Sequence, residues 1–266
     1  MPERNRVNRH ERLSKLLDIV GQRERIDVED MAAELGVSAA TIRRDLDHLA
    51  EQQLLARTRG GAVATSVAYD LPLRHKAARH APEKQRISNA AARMVQPGMV
   101  IGLNGGTTTT EVARCLATRA DLGEQGDPGL TVVTNALNIA NELVVRPHIK
   151  IVVTGGVARQ QSFELTGPLA TRILEEITID LLFLGVDAID PAMGAYAHHE
   201  GEASINRLMA SRAARVVVVA DSSKLGRRAF AQICASGSID ALITNDDAPK
   251  DVLRAFEAEG TTVQAV

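Results

Sequence analysis

An α/β architecture with a mostly parallel sheet, preceded by a small helical head, is the fold this sequence predicts, and three observations carry it. Six short runs rich in Val, Ile and Leu recur from Met99 onward: MVIGL, LTVVT, IKIVVTG, IDLLFLGV, RVVVVAD and IDALITN, each followed by a turn or a helix start. Unbroken apolar runs of this length are the signature of strands covered on both faces. Aromatic residues make up only 2% and tryptophan is absent, so Val, Leu, Ile and Ala must build the core. The first sixty residues lack this texture and show helical spacing instead.

Bulk properties narrow the class further. Hydrophobic residues at 45% and charged residues at 24% are ordinary for a folded globular chain, which argues against disorder. Cys115 and Cys234 have no C-x-x-C spacing, so neither a disulfide scaffold nor a structural metal is expected. The opening MPERNRVNRHERL is too polar for a signal peptide and no apolar run approaches membrane-spanning length, which predicts a cytoplasmic protein. A net charge of -2 does not announce a nucleic-acid partner, and residues 1 to 61 balance 11 Lys and Arg against 11 Asp and Glu. Pattern, not charge, has to decide.

Leu13, Leu16, Leu17 and Val20 lie at helical spacing ahead of Gly21 and predict a first amphipathic helix of roughly three turns. Asp27 is positioned to cap a second helix, with Asp30 near its positive end, an apolar stripe of Met31, Ala32 and Leu35, and Gly36 as its stop. Ser38 caps a third, ATIRRDLDHLAEQ, which buries Ile42, Leu46 and Leu49 and turns Thr41, Arg43 and Arg44 outward. Two helices joined by a short glycine-containing turn, the second offering small polar and Arg side chains near its start, form a helix-turn-helix. There, free amides meet phosphate and Arg reaches guanine O6/N7 or the DNA backbone. LLARTRGGAVA then predicts a β-hairpin wing around Gly60 and Gly61, with Arg57 and Arg59 near its tip to touch phosphates or the minor groove. A plain helical hairpin with a solvated Arg pair would share the spacing but not this sequence of parts.

Residues 1 to 64 are therefore read as the head, 65 to 82 as a basic linker, and 83 to 266 as the α/β domain. Ligands of such sheets bind at the carboxyl ends of the strands. Asn104, Gly105, Gly106, Thr107, Thr108 and Thr109 follow MVIGL directly and precede a helix, so close-approaching glycines, free amides and hydroxyls make an anion cradle suited to phosphate. It is neither a P-loop, which needs a Lys before Ser/Thr, nor a dinucleotide fingerprint. Other strands end in Asn135, Asp187 and Asp221. Asp187 could bind sugar hydroxyls and Lys224 could meet phosphate as a point charge, whereas Asp221 is read as a cap for its Ser neighbours. In His198-His199-Glu200-Gly201-Glu202, adjacent residues rarely share one ion, so ligand contacts or helix capping are expected rather than a metal.

TIRRDLDHLAEQQLLARTRGGAV closely resembles the N-terminal winged helix of the DeoR family of bacterial regulators. NGGTTTTEVARCL, VVTNALNIANEL, TGGVARQQSFELTGPLA, LFLGVDAID and VVVVADSSKLGRRAF resemble successive motifs of that family's sensor domain, whose fold is similar to ribose-5-phosphate isomerase and glucosamine-6-phosphate deaminase. The resemblance implies that Ser38, Thr41, Arg43 and Arg44 face the major groove. It also implies a phosphosugar effector, with its phosphate on Gly105 to Thr109 and Lys224 and its sugar on Asn135, Asp187, Glu200 and Glu202. Two positions depart: the family usually has Asp where this chain has Asn104, and often Lys near Asn206. Loss of a carboxylate at the turn removes an acid/base group and argues against turnover.

A repressor of a sugar-use operon, without cofactor or catalytic residue, released from double-stranded DNA by a phosphorylated sugar, is thus the expectation. A phosphosugar isomerase or deaminase with an accessory head is the alternative, which needs a general base such as Asp187 or Glu202 beside the substrate carbon. An activator would share every part, because the sign of coupling is invisible in sequence. One recognition helix reads only a few base pairs, so a homo-oligomer, dimer or tetramer, is expected.

Overall fold

A computed structural model describes residues 9–23, 25–52, 54–63, 80–123 and 129–266. The expected linker at 65 to 82 lies mostly outside them. The chain divides into two compact units, 1–79 and 80–266.

In the first unit, helix α1 (Arg9–Arg23) is followed by strand β1 (Arg25–Asp27), α2 (Val28–Leu35), α3 (Ala39–Glu51), β2 (Ala56–Thr58) and β3 (Gly61–Val63). Leu16, Leu17 and Val20 of α1 pack with Met31, Ile42, Leu46 and Leu49 into one core. Both caps are as the sequence proposes. Asp27 accepts the Glu29 amide at 2.8 Å, and Gly36 takes the left-handed conformation (φ 64°) that ends α2. Helix α1 runs two residues past Gly21. The strand β1 was not anticipated: three residues are too few to show a period, yet they pair antiparallel with β3 and turn the wing into a three-stranded sheet ordered β1-β3-β2.

The second unit opens with α4 (Ala81–Ala92), then β4 (Val100–Leu103), α5 (Thr107–Ala117), β5 (Leu130–Thr134), α6 (Leu137–Leu143) and β6 (Ile149–Val153). A hairpin of β7 (Val157–Ala158) and β8 (Leu165–Thr166) leads to α7 (Pro168–Glu175), β9 (Leu181–Leu184), β10 (Ala188–Asp190), β11 (Gly194–Ala197) and α8 (Glu200–Ser211). The remainder is β12 (Val216–Val219), β13 (Ala231–Cys234), β14 (Ala241–Thr244), α9 (Lys250–Ala258) and β15 (Thr262–Ala265). Seven strands form one parallel sheet in the order β15-β14-β12-β9-β4-β5-β6, with β10, β11 and β13 in a small antiparallel sheet. The six runs read from sequence supply six of the seven strands. The seventh, β15, reads TVQA and is largely exposed, so its apolar signal is weak.

Two apolar cores flank the sheet. One gathers Ile87, Val112, Leu116, Ile139 and Leu143 from α4, α5 and α6, and the other gathers Ala170, Leu174, Ile205, Met209 and Phe256 from α7, α8 and α9. Helices on both faces are what unbroken apolar strands require. The order has one reversal that matters: the chain runs from β4 outward through β5 to β6, then crosses back to place β9 on the other side of β4. The carboxyl ends of β4 and β9 thus flank a topological switch point, where open α/β sheets leave a crevice.

Candidate functional site

The switch point holds a polar cluster in an otherwise apolar sheet. Register aligns Leu103 of β4 with Thr134 of β5 and Phe183 of β9, so Asn104, Asn135 and the Gly185 turn emerge at one level. Asn104 closes the seam. Its Nδ2 donates to the Gly185 carbonyl at 3.0 Å and its Oδ1 accepts the Gly185 amide at 2.7 Å. This paired contact requires both a donor and an acceptor, and through it Asn104, expected in the anion cradle, ties two strand ends together.

Gly106 then precedes α5 in a positive-φ conformation (139°), and no side chain among the described residues caps the helix. Thr109 and Thr110 donate their hydroxyls back to the Gly106 carbonyl at 3.2 and 2.6 Å. The amides of Thr107, Thr108 and Thr109 are those a helix start leaves without an intrahelical acceptor. They carry the positive end of the helix dipole. Ser88 on α4 fixes this end by donating to the Thr108 carbonyl at 3.2 Å. Lys84, one turn earlier on the same helix, is buried and lies near Asp221.

Asn135 and Glu202 join the cluster. Asn135 is fully buried and donates to Glu164 Oε2 at 3.0 Å and to Asn206 Oδ1 at 3.3 Å, while its own Oδ1 has no partner among the described residues. Asn138, three residues on, donates to Thr110 Oγ1 at 2.8 Å and also keeps a buried Oδ1 without a partner among the described residues. A buried acceptor left unmade costs about 1 to 3 kcal/mol, so two in the segment from the tip of β5 into α6 favour a ligand that brings hydroxyl donors. Glu202 is buried against Arg159 at 2.9 Å. Asp187 accepts the His198 amide at 2.9 Å, which orients the β9 to β10 turn. Glu200 is exposed at the start of α8, and His199 caps that helix through Gly201 at 3.1 Å. Asp221 caps Ser222 to Lys224 as expected. Burial alone would raise its carboxyl, but the Ser223 hydroxyl with Lys224, His80 and Lys84 outweighs that and holds it below the usual range.

Sequence reasoning missed Glu164 and Arg159, because they sit in a two-residue-strand hairpin with no periodic signal. Glu164 is 3% exposed, and its carboxyl is pushed up to about 8 by burial first and by the nearby Glu202 and Asp187, against hydrogen bonds from Asn135 and Asn206.

In the head, Ser38 caps α3, its Oγ accepting the Thr41 amide at 3.2 Å and meeting Thr41 Oγ1 at 2.9 Å. Arg43 pairs with Glu29 of α2 at 3.1 Å, but the two side chains are 57% and 70% exposed. Such a pair is worth under about 1 kcal/mol and yields readily to a stronger anion. Arg44 leans along its own helix onto the Ala40 carbonyl at 3.2 Å. Arg57, expected near the wing tip to touch phosphates or the minor groove, bridges Asp47 of α3, at 2.8 Å, and the Gly61 carbonyl, which clamps the wing to the third helix. Arg59 is exposed beside the turn.

Two family profiles match the chain: one described as the DeoR-like helix-turn-helix domain over residues 12–67, the other as the DeoR C terminal sensor domain over residues 79–246. The HTH-type transcriptional regulator GlpR of Haloferax volcanii is 37% identical over 254 residues, 95% of this chain and 96% of that protein. The glycerol-3-phosphate regulon repressor of Escherichia coli K12 is 29% identical over 244 residues, 92% and 94% of the two chains. A solved ribose 5-phosphate isomerase A from Methanocaldococcus jannaschii overlays 55% of this chain and 54% of its own at 20% identity, with a TM-score of 0.41.

Proposed function

Because the chain belongs to the DeoR family of helix-turn-helix transcription regulators, we propose that it represses a sugar-metabolism operon and leaves its operator when a phosphorylated sugar occupies the second unit. The observation that carries this reading is the start of α5 at the switch point, which has no side-chain cap among the described residues, beside two buried amide oxygens that lack donors among them. Helix amides favour a dianion and the orphaned oxygens favour hydroxyls; a sugar phosphate offers both. One relative is a glycerol-3-phosphate regulon repressor, and glycerol 3-phosphate, a phosphorylated polyol, likewise combines a dianion with hydroxyls.

In this reading the phosphate sits on Gly105 to Thr109 with Lys224 near it, and Asn135, Asp187, Glu200 and Glu202 address the sugar. Asn104 supports the seam. On DNA, Ser38, Thr41, Arg43 and Arg44 address the major groove and Arg59 the flanking phosphates, with Arg57 holding the wing at its angle. Domains at 1 to 64 and 83 to 266, joined by 65 to 82, divide the labour. No helix among the described residues is long and apolar enough to cross a membrane, and the place of work proposed is the cytoplasm. The ion pair of Glu202 with Arg159 and the hydrogen bond from the His198 amide to Asp187 support a binding site, because they hold both carboxylates in fixed positions toward a ligand.

A homo-oligomer belongs to the same proposal. Val157, Phe163, Leu169 and Ile173 are exposed large apolar residues on the β7–β8 hairpin and α7, two consecutive elements, and exposed apolar surface of this kind supports protein contact. A thermal-shift screen of the full chain against a panel of sugar phosphates tests the effector, because a ligand bound only by the native state raises its stability. A panel that leaves the unfolding temperature unchanged would overturn it.

A further inference from the structure

The carboxyl of Glu164 is aimed by backbone on both of its sides. The Phe163 carbonyl accepts the Leu137 amide at 3.0 Å, the Asn135 carbonyl accepts the Leu165 amide at 2.6 Å, and Glu164 itself accepts the Arg159 amide at 2.8 Å. Phe163 takes a positive φ (62°), unusual for a bulky residue, to make this turn. The hairpin thus delivers one acidic side chain to the tip of β5.

Its two oxygens face different partners. Oε2 accepts both the Asn135 amide at 3.0 Å and the Asn206 amide at 3.3 Å. Oε1 faces Gly105: a Cβ placed on that glycine would fall 2.5 Å from Oε1 and 2.3 Å from Cγ. Only glycine fits there, and the carboxyl is packed on the turn that opens α5. With Oε2 occupied by two donors, a proton on this group belongs on Oε1, which then becomes a donor presented to the turn.

We propose that Glu164 gates the anion cradle: carrying a proton, it donates from Oε1 to an oxygen of the bound anion, and without that proton its charge keeps the anion out. This rests on the effector reading above. It adds a residue and a rule, namely that effector binding and proton binding reinforce each other. The surroundings agree. Glu202 from α8 and Asp187 from the turn after β9 disfavour a third negative charge, Arg159 is engaged by Glu202, and the groups that touch Glu164 directly are neutral amides. Burial with those neighbours pushes its carboxyl up to about 8, so it is mostly protonated at neutral pH.

The test is the affinity of the full chain for inorganic sulfate and inorganic phosphate between pH 7 and 9.5, read from ligand-induced stabilisation against denaturant. Sulfate does not titrate in that range, so its profile is the decisive one; inorganic phosphate is still converting to its dianion at the lower end of the range and is compared only above it. The expected result is affinity that falls about tenfold per pH unit above roughly pH 8, and a flat profile for Glu164→Gln, which keeps the shape and loses the titration. Net proton uptake on binding to the wild-type chain, measured by calorimetry in two buffers of different ionisation enthalpy, carries the same prediction without any variant. Binding with a flat wild-type profile and no proton uptake overturns the gate and leaves the cradle standing. An unchanged slope in Glu164→Gln assigns the proton elsewhere and also overturns it. No anion binding at any pH overturns the cradle and the gate together.

Discussion

At the scale of single residues, the site depends on side chains whose polarity is matched to one partner. Asn104 must both donate to and accept from Gly185, so Asn104→Asp loses the donor and sets a carboxylate against a carbonyl. A loss of about 1 to 3 kcal/mol in denaturant unfolding is expected, although the family resemblance puts Asp at this position. Arg43 is held only by an exposed pair, so Arg43→Ala should leave the unfolding curve within about 0.5 kcal/mol and weaken operator binding by about 1 to 3 kcal/mol. Gel-shift titration beside an unfolding curve separates the two effects. Glu164 adds a pH signature. Its folded value of about 8 lies above the ordinary 4.5, so the native state binds this proton more tightly than the unfolded chain. That stabilising contribution is whole below about pH 4.5 and is lost as pH climbs through about 8. Glu164→Gln should flatten the decline in stability between those values, seen as a smaller drop in denaturation midpoint from pH 5 to 9.

At the scale of elements, what could be read from sequence tracks the length of the pattern. Helices α1 to α3 and six of seven sheet strands were legible because apolar residues repeat over one or more turns or fill a whole strand. Caps at Asp27 and Ser38 were legible because the chemistry of a helix start is local. The hairpin β7–β8 was not, since two residues per strand leave no period, and with it went Glu164 and Arg159. The role of Arg57 was also hidden: its partners Asp47 and Gly61 are set by how the wing folds onto α3, which spacing does not express. Arg57→Ala should therefore loosen the wing as an element. Faster amide exchange at Ala56 to Val63, with α3 still protected, is the expected outcome, and equal loss across α3 would mean that Arg57 supports the whole head.

At the scale of the molecule, a reading head and an anion-binding sheet tip gain meaning only if occupancy of one changes the affinity of the other, and that linkage is reciprocal. In the proposed reading assembly is part of it, because a few base pairs per recognition helix give little specificity until copies are combined. Leu169→Asp, at an exposed apolar residue of α7, should shift light scattering toward smaller species and weaken operator binding without lowering the unfolding midpoint. The measurement that reaches furthest is an operator titration of the full chain with and without each member of a sugar phosphate panel, repeated with Gly105→Ala, whose new Cβ would collide with Glu164. At least one compound should weaken wild-type operator binding by about fivefold or more, the usual lower range for coupled sites, and leave the folded variant unmoved. Operator affinity that ignores every sugar phosphate, or a variant that responds as fully as the wild type, would contradict a phosphate held at the start of α5.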